Sequence, residues 1–220
     1  MPSDQSLIFP VGHYVGAFYP GVGAALSHHS VRIGNNSYKL NDDQELGVWA
    51  LAHGVPGQVN PATPWGRPAI TAAADPDKVV DVDATLDALL EREMLVEVAP
   101  GSGDAVTFAR ELRLRALLAG TGNDEQYPGM YGIGTLAGQP VVVVPAELFE
   151  LWEWGPVFDN LWHACQLFAQ AARETERLGT SGDGSPPATD PEVVLDGFLP
   201  NLHVLLAHGA AYLDEAAAEE

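Results

Sequence analysis

Val82, Leu86, Leu89 and Leu90 follow one another at spacings of 4, 3 and 1, which gathers four apolar groups on one face and predicts an amphipathic helix. Phe198, Leu202, Leu205 and Leu206 repeat that spacing near the other end of the chain. Between them, Phe158, Leu161, Trp162, Cys165, Phe168, Ala169 and Ala172 form a longer stripe at helical spacing that ends near Gly179. Ser30 to Leu40 (SVRIGNNSYKL) reads as two short strands around a Gly-Asn-Asn turn. A helix from about Asp42 to His53 follows, with Asn41 or Asp42 as N-cap, Leu46 and Trp49 facing inward and Gly54 as its stop.

These pieces come twice. Met130 to Val144 (MYGIGTLAGQPVVVV) again gives a strand, a Gly-containing turn and an apolar strand, and Pro145 opens a helix with Glu147, Leu148 and Leu151 at the spacing of Glu45, Leu46 and Trp49. Pro76-Asp77-Lys78-Val79-Val80-Asp81 is echoed by Pro191-Glu192-Val193-Val194-Leu195-Asp196, each ahead of a last helix that runs into a strand-like tail, Met94 to Val98 and Ala210 to Leu213. Three echoes in one order point to a duplication. Leu95 to Val98, turning through Pro100 to Asp104 into Val106-Thr107-Phe108, reads as a wing after the third helix, and Ala109 to Ala119 as a connecting helix.

The fold expected is therefore α+β, mostly helical: two tandem winged-helix-like modules, each a β-hairpin, three helices and a strand or wing, packed as a pseudo-dimer. Residues 1–28 form an aromatic, Gly-rich arm, 29–109 the first module, 110–129 a connecting helix and linker, and 130–220 the second module. Within the last, 180–190 (TSGDGSPPATD) has the composition of a flexible loop.

The first copy resembles the PqqD-like domains, which recognise peptides during ribosomal peptide modification. The resemblance rests on Tyr38-Lys39-Leu40-Asn41-Asp42, on Trp49 to Gly54, and on Asp81-Val82 through Leu86, Leu89 and Leu90 to Leu95, about a third of the chain. It implies an extended peptide added as a strand beside the hairpin, in the groove against the third helix. The residues it assigns to binding are Val31, Tyr38, Lys39, Asp83, Leu86, Asp87 and Leu90. Trp152 and Trp154 alternate at the end of a helix, and His13 to Pro20 is rich in aromatics; such groups either staple the two copies or form a partner surface, so the chain is a monomeric pseudo-dimer or a homodimer.

Charge narrows the partners. Ten Lys and Arg against 30 Asp and Glu leave a formal charge of -20, a field that repels phosphate backbones and anionic lipid. The last helix of the first copy carries Asp81, Asp83, Asp87, Glu91 and Glu93 against Arg92, and that of the second has no Lys or Arg, so a DNA-reading helix is disfavoured. A protein or peptide of basic or apolar character is the expected partner, with a DNA-binding regulator as the alternative. No stretch reaches the length of a membrane span, and a single Cys165 fits a reducing, cytoplasmic setting.

Signs of catalysis are few. Seven His residues invite a metal, yet His163 with Cys165, and His203 with His208, have poor spacing for ligands on one helical face. Gly132-x-Gly134 precedes a strand instead of opening a helix, so it fails as a phosphate loop. No metal, no cofactor and no enzymatic activity are expected, and an active site without a known motif ranks third.

Overall fold

The order Ile33-Gly34-Asn35-Asn36 closes a hairpin because Gly34, at φ 55°, supplies the left-handed backbone that a two-residue turn requires. In the computed structural model, which describes residues 6–123, 125–136, 138–178 and 188–217, this hairpin joins β3 (His28–Ile33) to β4 (Asn36–Leu40). A preceding strand, β2 (His13–Phe18), completes a three-stranded meander of order β2-β3-β4. Asp42 caps α1 (Asp43–Leu51) by accepting from the Glu45 amide at 2.8 Å, while Glu45 reaches back to the Asn41 amide at 2.9 Å. Two further helices follow, α2 (Arg67–Ala73) and α3 (Val82–Glu91), the latter capped by Asp81. The chain then enters β5 (Leu95–Val98).

β5 does not turn back into a wing. Its partner is β1 (Leu7–Pro10), paired antiparallel from Leu7 against Val98 to Pro10 against Leu95. Val106, Thr107 and Phe108 lie in a helix, α4 (Gly103–Glu111), because Ser102 caps it and Ala105, Phe108 and Ala109 share its buried face. The connecting helix expected at 109–119 is also absent: Leu112-Arg113-Leu114-Arg115-Ala116 alternates with period two and forms β6 (Leu112–Ala116), with both leucines buried.

The second half then repeats the first. A meander of β7 (Ala119–Asn123), β8 (Met130–Gly134) and β9 (Pro140–Pro145) leads into α5 (Ala146–Trp154). A 3-10 turn at Gly155–Val157, α6 (Leu161–Leu178), α7 (Pro191–Ala207) and β10 (Ala211–Glu215) follow, and β10 pairs antiparallel with β6. Each half is thus a strand, a meander, three helices and a strand that closes on the first. Equivalent hydrogen bonds mark the two closures: Val11 amide to Met94 carbonyl at 3.0 Å, and Leu117 amide to Ala210 carbonyl at 2.9 Å.

A mostly helical, winged-helix architecture is therefore overturned. Helices make up 41% and strands 27% of the described residues, with ten strands in four small sheets, and the strand after each third helix is committed to the opening strand of its own half. Nor do the halves face each other as separate modules, since one core cluster runs from Leu7 to Leu213. The turn of the first hairpin plugs into the second half, where the Gly34 amide donates to Asp214 at 2.7 Å and Arg32 donates to the Tyr212 hydroxyl at 2.8 Å. Val11 and Leu213 bridge in parallel, which brings β1 and β10 side by side. The N-terminal segment is accordingly no arm: all four residues of β1 are buried. His203 on α7 donates from Nε2 to the Ile8 carbonyl at 2.9 Å and stacks on Phe9 at 4.4 Å.

Of the apolar sets that define the last helices, Leu86, Leu89, Leu202, Leu205 and Leu206 are buried, whereas Val82, Leu90 and Phe198 are partly covered. Among the described residues no helix is long and apolar enough to cross a membrane. Most of the flexible loop expected at 180–190, residues 180–187, lies outside the described residues.

Candidate peptide-binding cleft

β4 is an outer strand of its sheet, so half of its backbone groups face away from β3. In a two-residue hairpin the pair flanking the turn, Ile33 and Asn36, is hydrogen-bonded, and the alternation of antiparallel pairing then directs the N–H and C=O of Ser37 and Lys39 outward. One of these groups is taken: the Arg92 guanidinium donates to the Lys39 carbonyl, and its other arm meets Glu45 at 2.8 Å. Burial raises the Glu45 carboxyl, but the bonds from Arg92 and Asn41 outweigh it and hold the group below the ordinary glutamate value.

Beside this edge lies a cleft of about 800 Å³. Tyr38, Leu90 and Phe108 contribute apolar surface to it. Glu93, Glu97, Glu111 and Glu215 also line it, so four carboxylates accompany the single cation, Arg92. These come from the turn after α3 and from β5, α4 and β10, elements that meet only because β5 closes on β1 and β10 on β6.

Glu93 sits in the left-handed region at φ 56°, alone among the described residues other than glycine. It ends α3 with the Glu93 amide on Leu90 and the Met94 amide on Leu89, each at 3.0 Å. Gly209 occupies the matching place after α7, at φ 61°, with bonds to Leu206 and from Ala210 to Leu205. The first half therefore keeps a strained, charged residue where the second has the residue suited to that geometry. Glu93→Gly is expected to raise folding stability by about 1 kcal/mol, measured by urea unfolding, because relief of left-handed strain exceeds the added freedom of the unfolded chain. An unchanged or lower midpoint would mean that the carboxylate contributes more than the strain costs.

The residues assigned to binding divide accordingly. Tyr38, Lys39 and Leu90 gather at the β4 edge and the cleft. Val31 and Leu86 are fully buried and offer nothing to a ligand. Asp83 and Asp87 are exposed, but Arg67 engages both, the first at 3.8 Å. Trp152 is interior, with its indole donating to the Ala210 carbonyl at 2.8 Å, whereas Trp154 is 52% exposed. Glu111 and Phe108 escaped notice because α4 read as a wing and a linker, and Glu215 because nothing local ties it to residue 38. The repeat itself was the available signal, since a closing strand in one half requires one in the other.

Burial pushes the Cys165 thiol up to about 12, which removes its thiolate at neutral pH. It pushes the His53 and His203 imidazoles down to about 4. Among the described residues no three His, Cys, Asp or Glu stand where they could hold a metal ion. Arg110 lies over the Trp162 ring, and Arg113 and Arg115 face Asp214 and Tyr212 in the β6–β10 register, so the arginines at 110–115 form no common phosphate-facing surface. Compared with known proteins, this chain matches no protein-family model, no curated protein and no solved structure.

Proposed function

We propose that this chain is a non-enzymatic adaptor or regulator that captures an extended segment of a protein or peptide as an added strand on β4. The observation that carries the reading is the outward Ser37 and Lys39 backbone beside an acidic, partly apolar cleft. An added strand gains main-chain bonds from that edge, and its alternate side chains enter the cleft. Apolar groups meet Tyr38 and Leu90; a Lys or Arg meets Glu93, Glu111 or Glu215, since Arg67 already lies 3.8 Å from Glu97. The PqqD-like residues support the same ligand class, because they lie on β4, α1 and α3, which border the cleft or hold Arg92 beside it. A leader peptide awaiting modification is the ligand this resemblance brings forward. A cytoplasmic setting accords with a lone, buried Cys165.

The experiment uses two ten-residue peptides with alternating apolar residues, one with a central Arg and one with Glu in its place. The Arg peptide is expected to bind at least tenfold more tightly and to protect amides of residues 36–40 from exchange. Lys39→Pro removes an outward N–H and should weaken that complex about tenfold, a loss of about 1.4 kcal/mol. Protection confined to 13–18 or to Trp154 would place recognition elsewhere. Duplex DNA is expected not to bind at micromolar protein near physiological ionic strength; a complex whose affinity falls steeply with salt would revive the regulator that reads DNA.

A further inference from the structure

The aromatic segment at 13–20 holds an arrangement that the cleft does not use. Tyr14 on β2 donates its hydroxyl hydrogen to Nδ1 of His29 at 3.0 Å, and Nε2 of His29 donates to the Asp43 carboxylate at 2.8 Å. The three residues come from β2, β3 and the first turn of α1. His29 is buried, whereas Tyr14 is 37% exposed. With Nε2–H held by Asp43, Nδ1 is the unprotonated nitrogen, and it faces the phenol. A nucleophile against an imidazole whose far side is fixed by a carboxylate is the arrangement that activates oxygen nucleophiles in general.

From this geometry we infer that Tyr14 is an acyl-acceptor site, with His29 as its base and Asp43 as the residue that positions the base. The phenolic oxygen attacks the carbonyl carbon of an activated acyl donor and its proton passes to His29 Nδ1. The bond from that carbon to the leaving group breaks, and the leaving group departs with the electron pair, leaving an O-acyl tyrosine. Asp42 and Asp43 are both exposed at this end of α1, so an uncharged or cationic donor is admitted more readily than an anionic one.

The probe is p-nitrophenyl acetate with the full chain, followed by peptide mass mapping. Tyr19 is an internal control, since it is more exposed, at 56%, but has no imidazole on its hydroxyl. Acetylation is expected at Tyr14 at least tenfold faster than at Tyr19 at neutral pH. His29→Gln should abolish that advantage, and Asp43→Asn should reduce it about threefold or more while the thermal midpoint stays close to that of the parent chain. Should His29→Gln fail to fold, the exposed Asp43 variant decides. Equal labelling of Tyr14 and Tyr19, or acetylation only at His28 or lysines, would overturn the assignment.

Discussion

Phe9→Ala is expected to cost about 4 kcal/mol of folding stability, the largest effect of any single substitution considered for this chain. Phe9 is fully buried in β1, with the Phe108 ring 5.2 Å away on one side and His203 stacked at 4.4 Å on the other. Truncation leaves a ring-sized void between elements of both halves, and neither α4 nor α7 can move inward without breaking its own strand contacts. Tyr19→Ala, on the exposed end of the same segment, should stay within about 0.5 kcal/mol. Urea unfolding of both variants checks the contrast. A cost near that of Tyr19→Ala for Phe9→Ala would return the N-terminal residues to the status of an arm.

Acidification is the second large effect. His203 is enclosed by α7 and β1, and burial holds its imidazole down to about 4, against an ordinary value of 6.5. The unfolded chain then binds a proton that the folded chain refuses. Stability from this group is complete above pH 6.5 and is lost as pH falls from 6.5 toward 4. By pH 5 His203 alone removes about 2 kcal/mol. His53, whose imidazole burial also holds down to about 4, acts in the same direction. Denaturant midpoints between pH 7 and 5 should fall for the parent chain and fall less for His203→Gln. Parallel slopes for the two would show that the carboxylates, and not the core imidazole, set the acid limit.

Capping and periodicity made α1 and α3 legible, because Asp42 and Asp81 announce helix starts by their local hydrogen bonds, whereas α7 starts at Pro191 under an Asp190 cap, ahead of the Asp196 after which its apolar face placed the helix. The Gly34-Asn35 turn did the same for β3 and β4. β1 was not legible: Leu7-Ile8-Phe9-Pro10 is a short apolar run whose partner is Val98 to Leu95, far along the chain, and no local rule chooses that partner. At 105–116 propensity misled in both directions. Val106, Thr107 and Phe108 favour strands, yet a cap at Ser102 and the packing of Ala105 and Phe108 hold a helix; Leu112 to Ala116 is rich in helix formers, yet its alternation buries both leucines only as a strand. The cleft inherits this division. Tyr38 and Leu90 were visible from the hairpin and the helix stripe, whereas Glu111 and Glu215 become neighbours of theirs only through the two strand closures.

Those closures also govern how the chain must fold. Leu7 waits for Val98 and Leu112 for Glu215, and the bridge from Val11 to Leu213 forms only when both halves are in place. The opening strand of each half is thus synthesised long before its partner, with a buried-type apolar sequence and no mate. Two such distant pairings, beside the four local ones of the meanders, raise the contact order and slow folding relative to a chain of local hairpins alone. During translation the Leu-Ile-Phe segment of β1 would emerge well before residues 95–98 and remain unpaired until they follow, an interval in which a holding chaperone has an exposed strand to bind.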